Sequence, residues 1–205
     1  MTLLFIFDMD DVLYEYDWRA RMAGMTALTG LSLEELRRLW WNDTGEWAAE
    51  AGEYETADDY LSAFQDAIGT PIDEDGWVRV RGEAMTAWPE SLAAVRRASE
   101  LGRVTLLTNN GALVAKHLAT LAPELVGLFG DHLFTSSHYG ARKPNPVVFE
   151  RVLEAYGVSA ENAFFADDMH INIEGAESVG ITGYRFGTPE GLLAAIESFA
   201  ASRVS

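Results

Sequence analysis

Asp8-Met9-Asp10-Asp11-Val12 places three carboxylates directly after the apolar run Leu3–Phe7. Carboxylates crowded at the end of a buried strand repel one another and are costly to desolvate. A bound divalent cation is the usual compensation. Asp8 and Asp10 are two positions apart, so extended backbone projects both to the same side. The chemistry this suggests is a nucleophile and Mg2+ ligand at Asp8 with an acid/base at Asp10. The competing reading is an acidic turn that caps a helix.

Three further clusters are of the same kind. Thr108-Asn109-Asn110-Gly111 offers a hydroxyl and backbone N–H groups entering a helix, an anion site, although Asn-Asn-Gly is also a common turn. Gly140-Ala141-Arg142-Lys143-Pro144-Asn145-Pro146 carries one of the two lysines in the chain, the other being Lys116. An ammonium in such a framed loop can neutralise a phosphate and keep an attacking carboxylate ionised; the alternative is an ordinary solvated lysine. Phe164-Phe165-Ala166-Asp167-Asp168 ends a second apolar run on paired acids, with Asn172 and Gly175 following. Those acids suit a metal and also suit a helix cap.

The elements that must position these clusters follow from the patterning. Leu3–Phe7, Val104–Thr108, His132–Thr135, Ala163–Ala166 and Ile181–Phe186 read as strands of a parallel sheet. Helices are expected over Pro89–Leu101, parts of Leu113–Phe129 with a break at Pro123, Pro146–Tyr156, Ile173–Val179 and Pro189–Ala201, after which the chain end should fray. The alternation predicts an α/β fold. Residues 14–87 show no convincing strand and predict helices near 18–29, 32–41, 57–68 and 73–85, with a capping box at Ser32–Glu35 and a cap at Thr56. The expected organisation is a core of residues 1–13 and 88–205, with 14–87 as an inserted all-helical cap. Every cluster then follows the carboxyl end of a parallel strand, the edge where open α/β sheets bind ligands.

The chain has 205 residues, 32 acidic and 15 basic side chains, and a net charge of −17. Its 48% hydrophobic content excludes a disordered chain. The negative field argues against nucleic acid or anionic membrane as partner. Cysteine is absent, which removes disulfides, thiolate nucleophiles and Cys-ligated zinc. A cytoplasmic location is the expectation, and no apolar run approaches the ~18 residues of a membrane span. A monomer is the default, with a homodimer open.

Taken together, the four clusters resemble the motifs of the haloacid dehalogenase superfamily. Asp8-Met9-Asp10-Asp11-Val12 is similar to its D-x-D-x-[TV] motif, Thr108 to the second motif and Lys143 to the third. Asp167-Asp168 with Asn172 and Gly175-Ala176 is similar to the fourth, although Met169 and His170 stand where a small polar residue is frequent. The resemblance implies a Rossmann-like core with a central parallel sheet flanked by helices. It further implies a Mg2+-dependent phosphatase acting on a small phosphorylated metabolite, a sugar phosphate among the candidates. Asp8 would be the nucleophile, Asp10 the acid/base, and Thr108 and Lys143 the phosphoryl ligands. Asp8, the Asp10 carbonyl and Asp168 would hold Mg2+, with Asp167 beside or sharing the metal. Asn109, Asn110, Trp18 and Trp47 are the further substrate-binding candidates. Tyr14, Tyr16, Asp17, Trp41, Glu46 and Glu50 would line the entrance or the cap, unless they serve as its packing core. A phosphomutase, a phosphonate-cleaving enzyme, a 2-haloacid dehalogenase or a noncatalytic binding module on the same scaffold remain alternatives.

Overall fold

The computed structural model describes residues 2–203. In chain order the first elements are β1 (Leu4–Phe7), β2 (Tyr14–Tyr16), α1 (Trp18–Thr29), α2 (Leu33–Leu39), α3 (Glu46–Glu50), α4 (Ala57–Ile68), α5 (Glu74–Glu83) and β3 (Met85–Ala87). Then follow α6 (Pro89–Leu101), β4 (Arg103–Thr108), α7 (Ala112–Leu121), α8 (Pro123–Phe129) and β5 (Leu133–Thr135). The last are α9 (Pro146–Tyr156), β6 (Ala163–Asp167), α10 (His170–Glu177), β7 (Thr182–Arg185) and α11 (Pro189–Arg203).

Five strands form one sheet in the order β5-β4-β1-β6-β7, and every pairing is parallel. β1 is central because its sequence, Leu-Phe-Ile-Phe, is apolar on both faces and all four residues are buried. Side chains alternate along a strand, and the two cores obey that period. Phe5, Phe7, Leu106 and Phe164 join the helices α6, α7, α8 and α11 on one face. Leu4, Ile6, Leu107 and Phe165 join α9 and α10 on the other. Each such side chain contributes ~1.5–3 kcal/mol by burial, so the sheet edge that carries the acidic loops rests on a rigid base.

In the segment between β1 and α6 the aromatic side chains pack on one another, continuous with the core on one face of the sheet. Trp40 meets Tyr60 edge-on at 5.2 Å and Phe64 at 5.1 Å, and Tyr60 meets Trp77 at 5.8 Å. The capping box at Ser32–Glu35 forms, and Thr56 closes a second one with Asp59.

The structure departs from the sequence expectation at the two ends of the insert. Tyr14–Tyr16 and Met85–Ala87 pair as a short antiparallel ribbon, in a stretch with no expected strand. Three residues are too few to register a two-residue period. The five-residue helix α3 was not expected either, being barely longer than one turn. At the chain end, α11 continues to Arg203, and any fraying of Val204 and Ser205 lies outside the described residues. Among the described residues no single helix is long and apolar enough to cross a membrane.

Candidate active site

A cavity of about 390 Å³ opens at the carboxyl ends of β1, β4 and β6. It is lined by Asp8, Asp10, Asp11, Asn109, Arg142, Lys143, Pro144, Asp168, Met169, Ile171 and Asn172. The polar clusters of four separate loops therefore share one space, as the strand order requires.

Asp8 leaves β1 as the strand ends, and its N–H still donates to the Ala166 carbonyl of β6 at 3.0 Å. Asp8 Oδ1 accepts from the Met9 N–H at 2.8 Å. The chain then turns sharply, with the N–H groups of Leu13 and Tyr14 both donating to the Met9 carbonyl. Asp11 takes the left-handed conformation at φ 55°, which Asp tolerates better than bulky residues. Asp11 Oδ1 accepts from the Tyr16 N–H at 3.1 Å, tying this turn to β2.

Lys143 is 1% exposed, an uncommon position for lysine. Its Nζ lies 2.9 Å from Asp8 Oδ1 and 2.7 Å from Asp167 Oδ2. Asn109 fixes the loop that carries it. The Asn109 side chain donates to the Lys143 carbonyl and accepts from the Lys143 N–H, both at 2.9 Å. From the other side, Gly175 of α10 lets the loop approach, because a Cβ there would lie 2.3 Å from the Pro144 carbonyl oxygen.

Asp167 is wholly buried. It accepts from the Met169 N–H at 2.8 Å, from Asn172 Nδ2 at 3.0 Å to both oxygens, and from Lys143. Asp167 thus supplies the loop's hydrogen bonding itself, so no small polar side chain is needed at Met169. Asp8, Asp167 and Asp168 offer carboxylate oxygens that all lie within 4.8 Å of one another. Burial pushes the Asp8 carboxyl well up, Lys143 pulls it down and Asp167 pushes it up again. Burial, reinforced by Asp167 and Asp11, pushes Asp168 up to about 6. Hard oxygen donors held together against their own repulsion suit a divalent cation such as Mg2+.

Asp10 faces the cavity from its insert side. Both of its oxygens accept from Arg81 Nη2 of α5, at 2.8 and 2.6 Å. The Asp10 side chain is not among the carboxylates that gather around Asp8. Burial works against the Arg81 charge, but Asp10 and Tyr16 together more than offset it and the guanidinium is held above its ordinary pKa. Sequence reasoning did not find Arg81.

The remaining candidates are distributed less directly. Thr108 is buried at the end of β4, and its Oγ1 accepts from Asn110 Nδ2 at 2.8 Å; neither lines the cavity. Trp18 packs edge-on against Trp41 and borders a different cavity of about 420 Å³. Trp47 is exposed, with the Arg142 guanidinium 5.5 Å from its ring centre. Glu46 accepts from Trp40 Nε1 and Tyr60 Oη, both at 2.6 Å, inside the insert. Most of the aromatic candidates therefore pack on one another. His138 stacks on Phe134 and His170 is exposed beside Glu174.

A second bridge from insert to core is buried Glu50, which accepts from Arg142 Nε at 2.5 Å. Burial pushes Glu50 up to about 7, with Glu46 raising it further and Arg142 and Lys143 lowering it. A carboxyl raised on folding binds a proton that the unfolded chain lacks. Its contribution is therefore most favourable below about pH 4.5 and is lost as pH rises through about 7, a cost on the order of 3 kcal/mol. Glu50→Gln is expected to gain stability over the parent at pH 8 relative to pH 5, as read by urea unfolding at both pH values. Parallel profiles for the two proteins would contradict this.

Comparison with known proteins gives the same frame. A relative from Mycobacterium tuberculosis (strain CDC 1551 / Oshkosh), Phosphatase MT3486, is 30% identical over 186 residues, covering 87% of this chain and 84% of the relative. A glyceraldehyde 3-phosphate phosphatase from Pyrococcus abyssi is 30% identical over 94 residues, which span 45% of this chain and 39% of that protein. Among solved structures, a haloacid dehalogenase family enzyme of Bacteroides thetaiotaomicron in complex with magnesium and inorganic phosphate superposes with a TM-score of 0.77 at 20% identity. That match covers 91% of this chain and 95% of the other. The family model described as haloacid dehalogenase-like hydrolase matches residues 2–180, and with the sheet order and the acidic cluster in place the chain belongs to that hydrolase family.

Proposed function

We propose that the protein is a Mg2+-dependent phosphatase that hydrolyses a small phosphorylated metabolite through an aspartyl-phosphate on Asp8. The observation that carries this reading is the buried Lys143 ammonium held between Asp8 and Asp167, beside the free edge of the carboxylate cluster. It is a buried cation set against Asp8 in a chain of charge −17, placed where a phosphoryl group would meet Asp8. The names of the two relatives support a phosphate monoester, and the second makes a triose or sugar phosphate the first class to test.

In the first half-reaction an oxygen of Asp8 attacks phosphorus as the bond to the leaving oxygen breaks. Asp10, as the acid, gives its proton to that oxygen, releasing the alcohol. In the second, Asp10 takes a proton from water as the water oxygen attacks phosphorus, and the Asp8 carboxylate leaves. Lys143 stabilises charge on the phosphoryl oxygens, and Asp167 keeps Lys143 in place. Asp8, the Asp10 carbonyl and Asp168 would hold Mg2+, which when bound supplies charge neutralisation at the transferring group. Asn109 fixes the Lys143 loop, and Thr108 with Asn110 shapes the turn beneath the phosphate. Residues 14–87 would act as the cap over a core of 1–13 and 88–205, closing the site against water. Trp47, next to Arg142, and Trp18 remain proposed substrate contacts for a closed state. A cytoplasmic location and a monomer complete the proposal. Asp10 favours a phosphatase over a dehalogenase, since loss of halide needs no acid.

The test is phosphate release from p-nitrophenyl phosphate and from a panel of phosphorylated metabolites. Activity is expected with Mg2+ and none in chelator; full activity in chelator would contradict the reading. The same cation should stabilise the fold, because it binds the native state alone. Its effect has a predictable pH dependence. Asp8 and Asp168 are both raised on folding, so their contribution to metal-free stability falls as pH rises, that of Asp168 as pH passes through about 6. Mg2+ takes only the ionised carboxylates. The Mg2+-induced rise in melting temperature is therefore expected to be larger at pH 8 than at pH 5, and an equal rise at both would contradict the assigned ligands.

A further inference from the structure

Asp8 and Asp10 are both acidic and close together, yet each has a different cation. Lys143 of the core holds Asp8. Arg81 of the insert holds Asp10, across 71 residues of sequence. The Arg81 side chain is 4% exposed and that of Asp10 24%, so the pair is mostly shielded from water. A buried guanidinium needs an anion, and breaking such a pair leaves an uncompensated charge. Arg79, in the same helix, shows the contrast: it is 59% exposed and pairs with Glu83 one turn along α5.

Arg81 is itself fixed. Its guanidinium lies 4.0 Å from the ring centre of Tyr16 in β2. Tyr16 pairs with Met85 in β3, just beyond the end of α5. Through its N–H, Tyr16 also binds Asp11, the neighbour of Asp10. The ribbon, α5 and the catalytic turn thus form one closed loop of contacts around Asp10. Arg81 does not line the cavity and Asp10 does.

We propose that Arg81 is a positioning residue for Asp10, fixing its carboxyl at the edge of the cavity so that proton transfer depends on how α5 seats against the core. This rests on the acid/base role of Asp10 given above. Arg81 has only donors to offer, so it grips the Asp10 carboxyl by its acceptor oxygens. In the acid form one oxygen stays with Arg81 while the other carries the proton. That proton passes to the leaving oxygen of the alcohol, and the next one comes from water. Arg81 itself exchanges no proton.

The test compares p-nitrophenyl phosphate, whose leaving group needs little protonation, with glycerol phosphate, whose leaving group needs it fully. Asp10→Asn is expected to lose ~10²–10⁴-fold in kcat on glycerol phosphate and much less in the first half-reaction with p-nitrophenyl phosphate, read as the burst of p-nitrophenol. Arg81→Met should show the same split at up to ~10²-fold, the scale of a misplaced catalytic group, with KM little changed. Arg81→Lys should recover part of the loss. The double variant Asp10→Asn/Arg81→Met should be no slower than Asp10→Asn, because the two residues act as a unit. Equal losses on both substrates, or additive losses in the double variant, would overturn the inference. Should Arg81→Met fail to fold, Arg81→Lys decides by the same split. If Asp10→Asn itself shows no split, the acid/base reading falls and this inference with it. If Asp10→Asn shows it and the Arg81 variants do not, only this inference falls.

Discussion

Asp8→Asn is expected to abolish phosphoryl transfer from every substrate, including the most activated ones. An amide is a poor nucleophile, and the substitution also removes a proposed metal ligand, so no leaving group rescues it. The loss should not come from unfolding. In the metal-free protein Asp8 is a buried carboxyl pushed upward by burial and by Asp167. A neutral isostere removes that penalty, and Lys143 keeps Asp167 as its partner at 2.7 Å. Metal-free Asp8→Asn is therefore expected to melt no lower than the parent at pH 8, while turning over nothing. Retained turnover would remove Asp8 from the mechanism.

Lys143→Ala is expected to reduce kcat by at least ~10²-fold, the scale of removing one charge-stabilising donor. Unlike Asp8→Asn, it should also destabilise. Asp167 is fully buried and Asp8 nearly so. Removing their shared ammonium strands two carboxylates, at a cost of roughly 3–5 kcal/mol. Mg2+ should restore part of that stability and little of the activity. Lys116→Ala is the control. Lys116 is 48% exposed and pairs with Glu74 at 2.7 Å on the surface of α7, an arrangement worth less than ~1 kcal/mol. Activity assays and urea unfolding of both variants check this. Equal effects of the two substitutions would mean that the phosphate site is misplaced.

The contrast between Lys143 and Arg81 shows what was legible in the sequence. Lys143 sits in a loop framed by glycine and prolines, after a strand, in a chain with one other lysine. Asp8 and Asp167 likewise end apolar runs, so strand prediction alone carries them to the same edge. β1 was readable because all four of its residues are apolar and buried. Arg81 has no such signal. It stands in the last turn of α5, two positions from exposed Arg79, and only the tertiary fold brings it to Asp10. Glu50 and Arg142 meet for the same reason, by docking of the insert rather than by local pattern. The ribbon of β2 and β3 was hidden by its length. Asn109 was legible as a turn residue near an anion site, but not as the clamp on the Lys143 backbone. The aromatic residues of the insert were ambiguous because packing and sugar recognition draw on the same side chains.

The central claim is a covalent phosphate on Asp8, and rapid-quench labelling tests it most directly. The Asp10→Asn variant is mixed with phosphate-labelled p-nitrophenyl phosphate and Mg2+, quenched in acid, and digested for peptide mass spectrometry. Because Asp10 also activates water, this variant should accumulate the intermediate. The predicted result is a burst of label on the peptide containing Asp8, absent from the Asp8→Asn/Asp10→Asn double variant. Label on any other peptide, or turnover with no protein-bound phosphate at any time, would contradict the account.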